Sequence, residues 1–285
     1  PAKPQVAHKL LLSGRQSRGT HIPASSLGPH HSGPNKENIV KSRLLSCLAL
    51  VGALVAPLTA SAFVVGPTTP GKWGSPVMGT GATVTWSLMA TGTDCSDEFG
   101  GCTITALDDF MPVGYLTQIQ NAFAAWSAVA NITFVQVADD GAAFNAATTS
   151  GDIRIGGHNM GGPGGTLAHG FFPPANGGSA AGDLHFDTQD LWDLDFDGTG
   201  DGAFSIFQVT AHEIGHALGL EHTAVPNSLM NPFYTEAFVG PQADDIAGMQ
   251  FIYGKAVVGE LPEPSALALV GLAFVGMGLS KRRKS

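Results

Sequence analysis

Three imidazoles and one carboxylate stand close together in HEIGHALGLEH, the stretch from His212 to His222. Side chains four apart share one face of a helix, so His212 and His216 can address a single ion with Glu213 beside them. A straight helix cannot bring His222 to the same point. Gly219 tolerates the positive backbone dihedral that ends a helix, so the chain can turn back and carry His222 under the ion. Three ligands leave the fourth position of a tetrahedral zinc open to water, whose pKa the metal lowers from roughly 15.7 to about 7. Glu213 is placed to take the proton as that water attacks a polarised carbonyl. The chemistry implied is hydrolysis, because a purely structural zinc would more often close its fourth position with another protein ligand.

These residues need a helix and a frame to hold it. The spacing predicts the ligand helix over about Ile206 to Leu218. Upstream, ATVTWSLM within Gly71 to Met89 alternates β-branched and aromatic residues as a strand does. Ile119, Phe123, Trp126 and Ala130 recur at helical spacing over about Tyr115 to Ala130. ITFVQV and DIRIG then read as two further strands. The order strand, helix, strand, strand predicts an α+β domain, a mixed twisted sheet with helices packed on it. The Gly-, His- and Asp-rich stretch from Gly156 to Asp201 is expected to lie outside the core while supplying metal ligands. Within it, Asp193, Asp195, Asp197 and Asp201 alternate like the first half of an EF-hand loop, but Phe204 stands where the loop needs glutamate. A solvated acidic loop fits those aspartates equally well.

The chain has 285 residues, 44% hydrophobic and 13% charged, which fits one globular domain with extra segments at both ends. Between Phe63 and Gly254 only Lys72 and Arg154 stand against twenty Asp and Glu, a net charge of −18. That balance excludes nucleic acid as a partner and favours bound divalent cations, calcium first outside the cytosol. Residues 1–40 read as a non-native or disordered extension. Residues 41–62 read as a secretory signal peptide, with Lys41 and Arg43, an apolar run from Leu44 to Leu58, and Ala60-Ser61-Ala62. Cleavage after Ala62 would leave Cys95 and Cys102 in an oxidising compartment, where they either close a short loop or stay as free thiols. After the domain, 63–254, come a linker, 255–261, and a tail, 262–285, with an apolar stretch from Ser265 to Leu279 ahead of Lys281, Arg282, Arg283 and Lys284. That tail reads as a short transmembrane anchor.

From Lys72 to Gly254 the sequence resembles the catalytic domain of the matrixins, a branch of the metzincin zinc peptidases with a zincin-like fold. The zinc motif carries the resemblance, together with AFAAWSAVANITFVQV, DIRIG, GGPGGTLAHGFF, GDLHFDTQDLW, SLMNPFY and DDIAGMQFIYG. It implies that His212, His216 and His222 hold the catalytic zinc, that Glu213 is the general base and acid, and that Met230 forms a floor beneath the ion. It further implies that Pro232 to Tyr234 wall the pocket for the substrate side chain after the scissile bond, and that backbone around Gly164 to His169 pairs with an extended protein or peptide substrate. A second, structural zinc is implied on His158, His169 and His185. The aspartate of that site is replaced by Met160, so water or another carboxylate must fill the gap. Calcium is implied at the pair Asp187 and Asp190, with Asp183 at a further site. Pro262-Glu263-Pro264, the apolar run and the basic cluster resemble the PEP-CTERM sorting signal of Gram-negative bacteria. This implies export to the cell envelope, surface or extracellular matrix, and processing by an exosortase-like enzyme. The reading is an exported zinc endopeptidase. The alternative is a surface-anchored structural or binding protein on the same scaffold with little turnover, against which an intact Glu213 argues.

Overall fold

A computed structural model describes residues 63–174, 178–196 and 202–257. The extension, the signal peptide, the sorting tail with its apolar stretch, and Asp197 and Asp201 of the acidic loop lie outside the described residues. In chain order the strands are β1 (Val64–Val65), β2 (Ala82–Leu88), β3 (Ile132–Gln136), β4 (Ile153–His158), β5 (Ala168–Gly170), β6 (Leu184–Asp187), β7 (Trp192–Asp193), β8 (Phe204–Ser205) and β9 (Leu220–Glu221). The helices are α1 (Tyr115–Val129), α2 (Ile206–Ala217) and α3 (Ala243–Tyr253). No helix among the described residues is long and apolar enough to cross a membrane.

Five strands form the central sheet in the order β3-β2-β4-β6-β5. The first four run parallel, and β5 joins β6 antiparallel at the edge, with His169 opposite His185. The sheet is mixed, as expected, because α1 provides the long crossover that two parallel neighbours, β2 and β3, require. α1 and α2 pack on each other and on the sheet. Their shared core is made by Ile119, Phe123 and Trp126 on one side and Val209, Ile214 and Leu218 on the other. Trp86 of β2 stacks on Phe123 with ring centroids 4.9 Å apart.

Much of the stretch from Gly156 is core, where its composition predicts a polar segment outside it. β4, β5 and β6 are buried at every residue, and Leu167, Phe171 and Phe172 are core side chains. Each polar side chain at this depth has at least one partner, the histidines through Glu98 and Asp183 and Asp187 through backbone N–H groups, the condition under which burial of polar groups is tolerated. The two cations of the domain are buried as well. Arg154 of β4 makes a bidentate pair with Asp139, with Nε to Oδ2 and Nη2 to Oδ1 both at 2.8 Å. Lys72 donates to the carbonyls of Trp73, Ser75 and Thr80 and lies 4.9 Å from the centre of the Tyr253 ring.

Candidate metal centres

α2 is fixed before any ligand is considered. Ser205 caps it by accepting the Gln208 backbone N–H, one of the donors that the first turn cannot satisfy internally. Trp73 Nε1 donates to Ala217 O at 2.7 Å, and Tyr253 hydroxyl to Leu218 O at 3.0 Å, which serves the carbonyls left over at the other end. Trp126 Nε1 donates to Ala211 O at 2.9 Å. Every residue from Gln208 to Ala217 is buried. The helix ends at Gly219, where φ is +107° and a β-carbon would lie 2.3 Å from Gly71 O. The chain then reverses into β9, which pairs with β1.

That reversal brings the third imidazole home. The Nε2 atoms of His212, His216 and His222 lie 3.1, 3.1 and 3.2 Å from one another. His212 Nδ1 lies 2.6 Å from Leu229 O and His216 Nδ1 2.8 Å from Leu220 O. A carbonyl accepts only, so in both rings Nδ1 carries the hydrogen and Nε2 presents its lone pair inward. Lone pairs converging at such distances repel, and a cation relieves them. Tetrahedral zinc ligands at roughly 2.0–2.1 Å from the ion stand about 3.3–3.4 Å apart, close to the observed triangle. Burial pushes the His212 pKa down to about 4, which keeps the ring neutral and able to ligate.

Glu213 is fully buried on the same helix, and neither carboxylate oxygen has a hydrogen-bond partner among the described residues. Burial pushes its pKa well above the usual carboxylate range. An unpartnered acid at this depth is costly, so its place beside the three rings calls for a functional explanation. Met230 lies beneath α2, its Sδ only 2.4 Å from where a β-carbon on Gly215 would stand. Its loop is held by Asp245 of α3, whose carboxylate accepts from Leu229 N at 2.7 Å, Met230 N at 3.1 Å, Gln242 N at 2.8 Å and the Ser228 hydroxyl. Asp245 thereby sets Leu229 O, the partner of His212. Sequence reading missed this role, although Gln242 and Asp245 stand at capping-box spacing and form one.

His158, His169 and His185 also come together, with a fourth side chain that the sequence did not suggest. Glu98 Oε1 lies 3.2 Å from His158 Nε2 and 2.8 Å from His169 Nε2, and Oε2 lies 2.8 Å from His185 Nδ1. Burial raises the Glu98 pKa, but the three imidazole contacts outweigh it and hold the carboxyl far below its ordinary range. Burial pushes His185 down to about 4. Asp183, Asp187 and Asp190 belong to neither histidine cluster. Asp183 accepts from Arg154 N at 3.2 Å, Asp187 from Met160 N at 3.2 Å and Gln189 N at 2.9 Å, and Asp190 from Gly164 N at 2.7 Å. The second oxygen of each is buried without a hydrogen-bond partner among the described residues. Beside His212, Gln208, Leu229, Phe233, Tyr234, Thr235 and Phe238 line a small cleft. Phe233 and Tyr234 are thus part of this lining, and Pro232 is not.

Fold and site together define an α+β domain centred on a three-histidine cluster, two rings from one helix and the third from the chain that returns after it, with a buried glutamate beside them. Residues 106–254 match the Matrixin family of peptidases, Peptidase_M10, and residues 260–284 match the PEP-CTERM protein-sorting motif. The chain belongs to the matrixin family. It is 38% identical to stromelysin-3 of Rattus norvegicus over 146 residues, 48% of this chain and 26% of that protein. It is also 38% identical to karilysin of Tannerella forsythia over 144 residues, 48% and 28% of the two chains. Interstitial collagenase of Bos taurus is 39% identical over 139 residues, again 48% and 28%. The chain therefore spans only about a quarter of the length of these curated relatives.

Proposed function

We propose that this chain is an exported zinc-dependent endopeptidase, with the ion held by His212, His216 and His222. The observation that carries the reading is the triangle of inward-facing Nε2 atoms beside the unpartnered carboxyl of Glu213. Zinc, when bound there, supplies a Lewis acid for the scissile carbonyl and an acidified water. The chain's residues do the rest. Glu213 accepts the proton of the attacking water at a carboxylate oxygen and returns it to the departing amine, a role that suits an acid whose pKa burial has raised. β5, an edge strand of the sheet, offers backbone groups to an extended peptide, and the cleft at Phe233 and Tyr234 takes a substrate side chain. Gly170 of β5 adjoins Glu213, with its β-carbon position 3.4 Å from Oε2, so substrate strand and base share one frame.

The match of 260–284 to the sorting motif supports delivery to the envelope of a Gram-negative bacterium, with exosortase-like processing of the tail and transient membrane attachment. The unpartnered second oxygens of Asp187 and Asp190 support calcium at that pair, next to the 158–164 loop that both carboxylates brace. Glu213→Ala tests the central reading. It is expected to abolish cleavage of casein or gelatin while zinc content by elemental analysis stays unchanged. Full activity in that variant would overturn it.

A further inference from the structure

Glu98 precedes the residues that match the family, which begin at 106. It sits on the loop closed by the Cys95–Cys102 disulfide. We propose that Glu98 completes a second, closed four-ligand zinc site with His158, His169 and His185, and that the disulfide ring is what presents it.

The donor atoms, on three buried histidines and the partly buried Glu98, all lie within 4.8 Å of one another, and they come from four separate stretches of chain. His158 ends β4, while His169 and His185 face each other across β5 and β6. The position that would carry an acid two residues after His158 is Met160, and its backbone N–H is engaged by Asp187. The carboxylate that does face the three rings arrives instead from sixty residues upstream of His158. Three imidazoles with one carboxylate are a zinc donor set of ordinary type, and four protein ligands are the mark of a structural site. The alternative is a metal-free cluster in which Glu98 merely accepts three imidazole N–H bonds.

A short glycine-rich loop has little reason to hold a buried carboxylate still. Here Cys95 and Cys102 are themselves buried, in a small core with Met89, Ile104, Phe144 and Phe171. Glu98 N donates to Cys95 O at 2.9 Å and Cys102 N to Phe99 O at 3.1 Å, so the ring folds Glu98 inward. Phe99 rests against His158 with centroids 5.0 Å apart, and Phe144 against His185 at 5.6 Å. The ring therefore acts on the site as an outer support of a ligand does, and losing such support lowers metal affinity about 10- to 100-fold.

The test uses the purified full-length chain, with metal content by elemental analysis, competition against a chromophoric zinc chelator, and cobalt(II) absorption as a report of ligand geometry. The wild type is expected to hold two zinc ions, and Glu98→Ala one. Cys95→Ser/Cys102→Ser is expected to keep both at saturating zinc but bind the second at least about 10-fold more weakly. Glu98→Gln keeps the shape without the charge and turns one acceptor oxygen into a donor NH2. It is expected to weaken the second ion and alter the cobalt spectrum even if the alanine variant folds poorly. Two ions of unchanged affinity in both Glu98 variants would overturn the ligand role. A second ion bound with wild-type affinity in the double serine variant would overturn the role of the ring. A single ion in the wild type that survives His169→Ala would show the cluster to be metal-free. His216→Ala reports separately on the catalytic centre, so failure there is not failure here.

Discussion

Gly215 lies between the two ligand turns of α2, and the Met230 loop explains why it must be small. A β-carbon there would stand 2.4 Å from Met230 Sδ, 3.0 Å from its Cε and 3.3 Å from Trp126 Cζ2. Comfortable non-bonded contacts need roughly 3.5–4.0 Å, so the thioether would have to retreat by about 1 Å. It has nowhere easy to go, since Met230 is buried and its backbone is held by Asp245, Ser228 and Thr223. Overpacking of this kind costs about 1–3 kcal/mol, against which helix propensity returns about 1 kcal/mol for alanine over glycine. Gly215→Ala is therefore expected to destabilise the domain by up to about 2 kcal/mol. Met230→Ala alone removes a buried side chain and should cost about 2–5 kcal/mol. With Met230 gone only the 3.3 Å approach to Trp126 remains, so Gly215→Ala should become stabilising by up to about 1 kcal/mol in that background. The cycle then shows a coupling of about 1–3 kcal/mol. Urea denaturation of the metal-free protein measures it without the contribution of ion binding. Additivity within about 0.5 kcal/mol would refute the steric argument.

Gly219→Ala places a β-carbon at a positive φ and against the fixed backbone of Gly71; it should cost at least about 2 kcal/mol in thermal unfolding and weaken zinc retention by displacing His222. Asp139→Ala strands the buried Arg154 guanidinium and should cost about 3–5 kcal/mol at neutral pH by chemical denaturation. Burial raises the Asp139 pKa, but Arg154 outweighs it and holds the carboxyl below its ordinary 3.8. A depressed carboxylate stabilises the fold above the unfolded pKa and loses that contribution as pH falls through the folded one. The difference between wild type and Asp139→Ala should therefore be fully present above pH 3.8 and shrink below it.

Much of the frame was legible because period and length agree. The run of Ile119, Phe123 and Trp126 and the alternation in ATVTWSL are long enough to reveal α1 and β2, and both lie where expected. The ligand helix and the glycine turn after it were equally plain, since Gly219 sits where only a positive φ returns the chain to His222. β1, β7, β8 and β9 have two residues each, too few for any pattern to declare itself. The stretch from Gly156 misled by composition, because burial there depends on partners that a linear reading cannot see. Glu98 is the sharpest case. Nothing in DCSDEFGGC marks its glutamate as facing histidines that lie 60 to 87 residues further on, and only the fold supplies that meeting.

The burial of Lys72 and Arg154 has a consequence that reaches beyond the core. With both cations of residues 63–254 enclosed, the charge this stretch shows to solvent is carried by carboxylates, and Lys255 just beyond it is an exposed cation. A cationic peptide is drawn towards such a surface before it touches the cleft, and an anionic one is turned away. The effect acts on the rate of encounter and reaches about 8–10 Å at physiological salt. Capture of lysine- and arginine-rich chains should thus slow as ionic strength rises, while the turnover of chains already bound stays the same.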